Sequence, residues 1–155
     1  MVKKIVKLSL LPLIFLLYGC TGSELSAEDE IRLYIEKGVD AAENRSANDL
    51  SGLIDEHYSD QKGLGKIQMV KLLRVYFFRH KNIYLFTKIR DITLHSANEA
   101  SVTLHVAMAG SVISDASLLS SLRAKTYKFE LQLIKQEEWL LRRAKWQAVN
   151  MSDMQ

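Results

Sequence analysis

The chain is expected to be an α+β protein, with N-terminal helices packed on a curved four-stranded antiparallel sheet. Three observations predict this. Apolar residues recur at helical spacing from residue 27 to residue 79. From residue 83 the pattern turns to strand over four long runs, two of which alternate with period two. No proline falls after Pro12, so nothing in the sequence interrupts those strands.

The first helix is expected over residues 27–44. Ser26-Ala27-Glu28-Asp29 places a hydroxyl at the cap and a carboxylate three residues on. Glu28, Asp29 and Glu30 suit the positive end of the helix dipole. Ile31, Tyr34, Ile35, Val39 and Ala42 form its apolar face. Ser46-Ala47-Asn48-Asp49 repeats the cap signal, and Leu50, Leu53 and Ile54 extend a second helix to about His57-Tyr58. Gln61 to Gly65 holds two glycines and reads as a loop. A third helix follows over residues 66–79. Its broad stripe of Ile67, Met69, Val70, Leu72, Leu73, Tyr76 and Phe77 is expected to be well buried.

The four strands are expected at Ile83 to His95, Ser101 to Ser111, Lys125 to Lys135 and Trp139 to Val149. Val102, Leu104, Val106 and Met108 alternate with Ser101, Thr103, His105 and Ala107, the mark of a sheet with one buried face. Tyr127, Phe129, Leu131 and Leu133 alternate likewise. Tight turns fall at 96–99 and 136–138, and the longer connection 112–123 has room for a helical turn at Ser117 to Leu122.

The N-terminus has the three-part form of an export signal. Lys3, Lys4 and Lys7 precede an apolar stretch that ends at Tyr18. That stretch is shorter than the roughly 20 apolar residues a transmembrane helix needs. Leu17-Tyr18-Gly19-Cys20 resembles a bacterial lipobox, in which the cysteine is lipidated and the precursor is cut just before it. Tyr18 is bulkier than the pattern prefers. The resemblance implies a signal peptide over 1–19, a lipidated tether over 20–26 and a folded domain over 27–150. It also implies palmitate-like acyl chains on Cys20. One chain holds a membrane weakly and two or more hold it firmly. With Thr21 after the cysteine, the resemblance points to the cell envelope, at the periplasmic leaflet of an outer membrane. Cys20 is the only cysteine, so the chain forms no internal disulfide, and acylation of that thiol would leave no thiolate site.

Net charge is +3 for 155 residues, and the three leader lysines account for all of it. The remainder is neutral but segregated. Glu24 to Asp60 carries 11 acids and three bases, and Gln61 to Arg90 carries eight bases and no acid. Such blocks either complement each other within the fold or leave a basic surface for anionic headgroups or an acidic partner. Nucleic acid is not an expected partner of an exported protein, although Tyr76, Phe77, Phe78, Tyr84 and Phe86 are interleaved with Arg79, His80 and Lys81.

The element order, the segment Asp49-Leu50 through His57-Tyr58, and the closing run Trp139-Leu140-Leu141-Arg142-Arg143-Ala144-Lys145-Trp146 together resemble the nuclear transport factor 2-like superfamily. This is also called the cystatin-like or ketosteroid-isomerase-like cone. The resemblance implies a conical cavity, here lined by Tyr34, Tyr76, Phe86, Met108, Tyr127 and Trp146. Enzymes of this fold use an Asp or His base in an apolar pocket, with a tyrosine to polarise the substrate. Residues available for such roles are His57, Asp55 and Tyr58, but they complete no dyad motif. No cofactor is expected. No metal is expected either, since His57, His80, His95 and His105 lack metal-ligand spacing. The fold hosts enzymes, binders and adaptors alike. The expected role is a non-enzymatic envelope lipoprotein binding a small apolar ligand, a lipid or a protein partner. The alternatives are a cavity isomerase or hydratase, and an adaptor that forms a homodimer through its open sheet face. A cavity plugged by Trp139, Trp146 and Met108 would leave only the adaptor.

Overall fold

The computed structural model describes residues 25–110, 124–150 and 152. Cys20, Ser111 and the turn expected at Ser117 to Leu122 lie outside them. The elements are α1 (Ala27–Glu43), α2 (Ala47–Gly52), β1 (Ile54–Asp60), α3 (Lys66–Arg79), β2 (Tyr84–Ser96), β3 (Glu99–Ala109), β4 (Lys125–Lys135) and β5 (Trp139–Ala148).

The sheet has five strands and is mixed, in the order β1-β5-β4-β3-β2. This corrects the expected four antiparallel strands. The strands from β2 to β5 pair antiparallel, but β1 lies parallel to β5, with Asp60 opposite Ala144. The second helix stops at Gly52, and the residues expected to extend it form β1 instead. Its register shifts between Ile54 and Ser59. Buried Ile54 and Tyr58 stand four apart, a spacing that fits a helix face as well as one face of a strand. Pairing with a strand 85 or so residues away decided the matter, and local pattern could not show it.

Both hydroxyl caps form. Ser26 Oγ accepts from the Asp29 N–H at 3.2 Å, and Ser46 Oγ accepts from the Asp49 N–H at 3.2 Å. α1 then lays Ile31, Tyr34 and Ile35 against Val102, Leu104, Leu133 and Trp139 of the sheet. Ile31, Val102 and Leu133 are almost fully buried. Each such side chain contributes roughly 1.5–3 kcal/mol by leaving water.

α3 departs from expectation. Val70 and Phe77 are buried, but Ile67 is 70% exposed and Leu72 52% exposed. Only one edge of the broad stripe is seated. Two contacts between the acidic and basic blocks involve α3. Lys66 Nζ meets Glu56 at 2.6 Å, while Arg74 reaches only the Asn48 amide oxygen at 3.4 Å.

One polar cluster ties α1 to β4 and β5. Glu30 accepts from Lys135 Nζ and from the Trp139 indole N–H, the latter at 2.9 Å. The Lys135 hydrogen bond, then that of Trp139, holds the Glu30 carboxyl below its ordinary range. The fold thus favours the ionised form. The stability Glu30 contributes is complete above the unfolded pKa of about 4.3 and is lost as pH falls through the lower folded value. Glu30→Gln is expected to lower the urea midpoint at neutral pH. That deficit is expected to shrink as both proteins are titrated to acid below the folded pKa.

Candidate functional site

Between α1, α3 and the inner face of the sheet lies a cavity of about 690 Å³. Ligand pockets for small molecules fall in this size range. α1 contributes Tyr34, Ile35 and Val39 to its wall, and α3 contributes Met69, Leu73, Tyr76 and Phe77. The sheet contributes Leu85, Leu104, Val106, Met108, Phe129, Leu131 and Trp146. These sheet residues share one face because they occupy paired register positions, such as Leu104 with Phe129 and Phe129 with Trp146. Phe129 and Trp146 stack with ring centroids 6.1 Å apart. Leu72, Val75 and Tyr76 line the cavity and are also exposed, as are Lys62, Arg79 and His80. The cavity therefore opens along the edge of α3.

One carboxylate stands in this apolar wall. Asp60 ends β1 and is buried. Its Oδ1 accepts from the backbone N–H groups of Lys62 and Leu64, both at 2.8 Å. Its own N–H donates to the Leu64 carbonyl, and the Gly63 N–H donates to the Asp60 carbonyl. Gly63 sits at φ 78°, which a side chain would strain. The next residue but one, Gly65, caps α3. Gln61 pins the turn to β5: its Nε2 donates to the Trp146 carbonyl and its Oε1 accepts from the Trp146 N–H, both at 3.0 Å. With Oδ1 doubly occupied, Asp60 Oδ2 is left buried without a hydrogen-bond partner among the described residues.

Of the three tyrosines in the wall, Tyr34 and Tyr58 are buried. Tyr34 donates its hydroxyl to the Leu53 carbonyl at 3.0 Å. Burial raises the Tyr34 hydroxyl's pKa far above the ordinary range, with the Tyr58 hydroxyl adding to the effect. Burial also raises that of Tyr58, and the nearby Asp60 charge raises it further. Both therefore remain neutral hydroxyls throughout the physiological range.

Of the expected cavity residues, Tyr34, Tyr76, Met108 and Trp146 line the wall. Phe86 and Tyr127 do not. Phe86 lies between wall residues Leu85 and Thr87 and is opposite Ala107, on the other sheet face. Tyr127 pairs with Val106 near the end of β4, beyond the lining. Trp139 is packed in the core with its N–H on Glu30, so it does not plug the cavity.

The expected polar trio separates. Tyr58 faces the cavity, but His57 and Asp55 do not line it. The His57 side chain is 79% exposed. Asp55 is a buried residue of β1. Its Oδ1 accepts from the His57 N–H at 2.9 Å and its Oδ2 from Gln136 Nε2 at 3.2 Å. Arg142 Nε approaches Oδ1 to 3.0 Å, but too far out of line for a hydrogen bond, so the contact is ionic. Asp55 is thus a structural charge, and Asp60 is the residue that sequence reasoning missed. Its available signal was Asp60-Gln61-Lys62-Gly63, an acid three residues before a glycine, which marks a side-chain-capped turn. Among the described residues no three His, Cys, Asp or Glu side chains gather to hold a metal. His95 Nε2 instead lies 2.7 Å from Ser101 Oγ.

Arg142→Met is expected to destabilise the protein by about 1–3 kcal/mol, because it leaves the Asp55 charge buried without a cation. Urea denaturation measures this. Cavity occupancy should be unaffected.

No family model matches the chain, and no curated protein matches it. Solved structures do. A domain of unknown function with a cystatin-like fold from Nostoc punctiforme superposes with a TM-score of 0.62 at 15% identity, covering 81% of this chain and 80% of that one. A provisionally named scytalone dehydratase from Novosphingobium aromaticivorans gives 0.65 at 14% identity, covering 78% and 83%. A protein of unknown function, described as NTF-2 like, from Shewanella oneidensis gives 0.59 at 14% identity, covering 78% and 98%. Likeness at this level of identity speaks to architecture, and the chain has the nuclear transport factor 2-like, or cystatin-like, fold.

Proposed function

We propose that the protein binds one small apolar molecule in this cavity, and that the molecule presents a single hydrogen-bond donor to Asp60. The observation that carries this is Asp60 Oδ2. It is a buried acceptor without a partner among the described residues, on a residue set in a wall of aliphatic and aromatic side chains. Leaving such a group unpaired is costly, whereas a ligand hydroxyl or amine would satisfy it. The Tyr34 hydroxyl already donates to the Leu53 carbonyl, so it is not free to polarise a substrate. The neighbour named as a dehydratase supports use of the cavity but carries no chemistry to this chain.

The test is retention and affinity. Protein purified natively would be analysed by mass spectrometry for bound molecules. Its affinity for an apolar fluorescent alcohol would then be compared with that for the matching methyl ether. The alcohol is expected to bind the native protein about 10- to 100-fold more tightly than it binds Asp60→Asn, the range a hydrogen bond to a charged group supplies. The ether should not distinguish the two proteins. Equal affinity of the alcohol for both would sink the proposal.

We further propose that the domain works in a bacterial envelope, held by acyl chains on Cys20. Leu17-Tyr18-Gly19-Cys20 after a basic, apolar leader supports this. No helix among the described residues is long and apolar enough to cross a membrane. Cys20→Ser is expected to move the protein to the soluble fraction or leave it as uncut precursor. Processed protein that still fractionates with membranes would overturn the anchor.

A further inference from the structure

We propose that the outward face of α3 docks onto the headgroup layer of an anionic lipid bilayer. Ile67, Lys71 and Val75 follow one another at four-residue steps, and Phe78 lies three beyond Val75. At this spacing they fall on one side of the helix. Phe78 is 91% exposed, Ile67 70% and Val75 49%. Single exposed apolar residues are ordinary, but a large aromatic and two β-branched residues on one helix face mark an interaction surface.

The charge on this face names the partner. α3 carries Lys66, Lys71, Arg74 and Arg79 and no acid, and Lys62 and Lys81 flank it. Lys66 is matched by Glu56, and Arg74 bonds Asn48. Lys62, Lys71, Arg79 and Lys81 meet no carboxylate within ion-pair distance among the described residues. Cations threaded between exposed apolar groups suit a membrane interface. Their long stems lie along acyl chains while the charged ends reach phosphate. A polybasic surface gains affinity from anionic headgroups in the same way. A folded protein partner would need an apolar pocket for Phe78 and carboxylates placed around it, whereas a bilayer offers both over any area. Val75 and Tyr76 belong to the cavity wall as well as to this edge. Docking would therefore turn the cavity's opening toward the lipid. The proposal stands whether or not the cavity ligand is identified.

The test uses the full chain with Cys20→Ser and Gln68→Cys, labelled at residue 68 with an environment-sensitive fluorophore. Gln68 is exposed on α3, seven residues before Val75 and so on nearly the same line of the helix. The control carries the label at Gln147→Cys. Gln147 is an exposed residue of β5 on the sheet face away from the cavity, paired with Lys128. The leader is present in every arm, so the label reports only which face meets lipid. With vesicles of equimolar phosphatidylcholine and phosphatidylglycerol, emission at 68 is expected to shift to the blue, and emission at 147 is expected to stay put. Phosphatidylcholine vesicles alone should leave both unchanged. Phe78→Ser should reduce the shift, and Lys71→Gln should weaken apparent affinity about fivefold, the contribution of one cation near an anionic surface. No shift, an equal shift at both positions, or an equal shift on neutral vesicles would overturn the proposal. So would a shift without vesicles that grows with protein concentration, which would assign the face to a second copy. A shift with soluble polyglutamate and none with vesicles would assign it to an acidic protein.

Discussion

The architecture of the site depends on how Asp60 divides its two oxygens. Oδ1 takes the N–H groups of Lys62 and Leu64 and so fixes the reversal between β1 and α3. That reversal sets where α3 starts and how it lies across the sheet. Oδ2 is left buried and without a hydrogen-bond partner among the described residues. One side chain therefore both builds the wall and furnishes its polar point. Buried carboxylates that accept backbone N–H groups are held rigidly, which is what a binding group needs.

Gln61 extends this economy. By accepting from and donating to the backbone of Trp146, it acts as a one-residue continuation of the sheet. It holds the turn against β5, and Trp146 in turn stacks on Phe129 in the cavity wall. The opposite wall is held differently. There Glu30 gathers Lys135 and Trp139, tying α1 to the hairpin that joins β4 and β5. Apolar packing of Ile31, Val102 and Leu133 fills the deep end of the cone. The open end, beneath a helix whose buried residues are Val70 and Phe77, stays hollow. Close-packed interiors leave few voids larger than a water molecule, so a hollow of this size is a feature of the design.

Much of the scaffold could be read from residue pattern. β3 alternates from Glu99 to Leu104, although Leu104 through Ala107 are buried without a break, so both faces are covered there, and both hydroxyl caps announced their helices. β1 was hidden, because the four-residue spacing of Ile54 and Tyr58 fits a helix face as well as a strand face, and its partner strand lies far along the chain. The exposure of Ile67 and Leu72 was hidden too. A hydrophobic stripe says that a face is apolar but not whether anything covers it. Asp55 and Asp60 look alike in the chain, five residues apart on one segment. Only the fold sends one to Arg142 and the other into the cavity. The cavity residues Tyr34, Tyr76, Met108 and Trp146 were accessible through family likeness. Phe86 was misplaced because strand alternation puts it on the opposite face from Leu85.

The parallel pairing of β1 with β5 has a further consequence, for the order of events in folding. Asp60 sits beside Ala144, so the two halves of the wall come from opposite ends of the domain. Pairings so distant in sequence are slow to form, since a long loop must close before any contact rewards it. A chain threading from its N-terminus exposes Ile54 and Tyr58 long before their partner strand emerges. The hairpins of β2, β3, β4 and β5 can assemble first, and β1 then docks as the closing strand. The pocket is thus the last thing made, and until then its apolar lining is open surface.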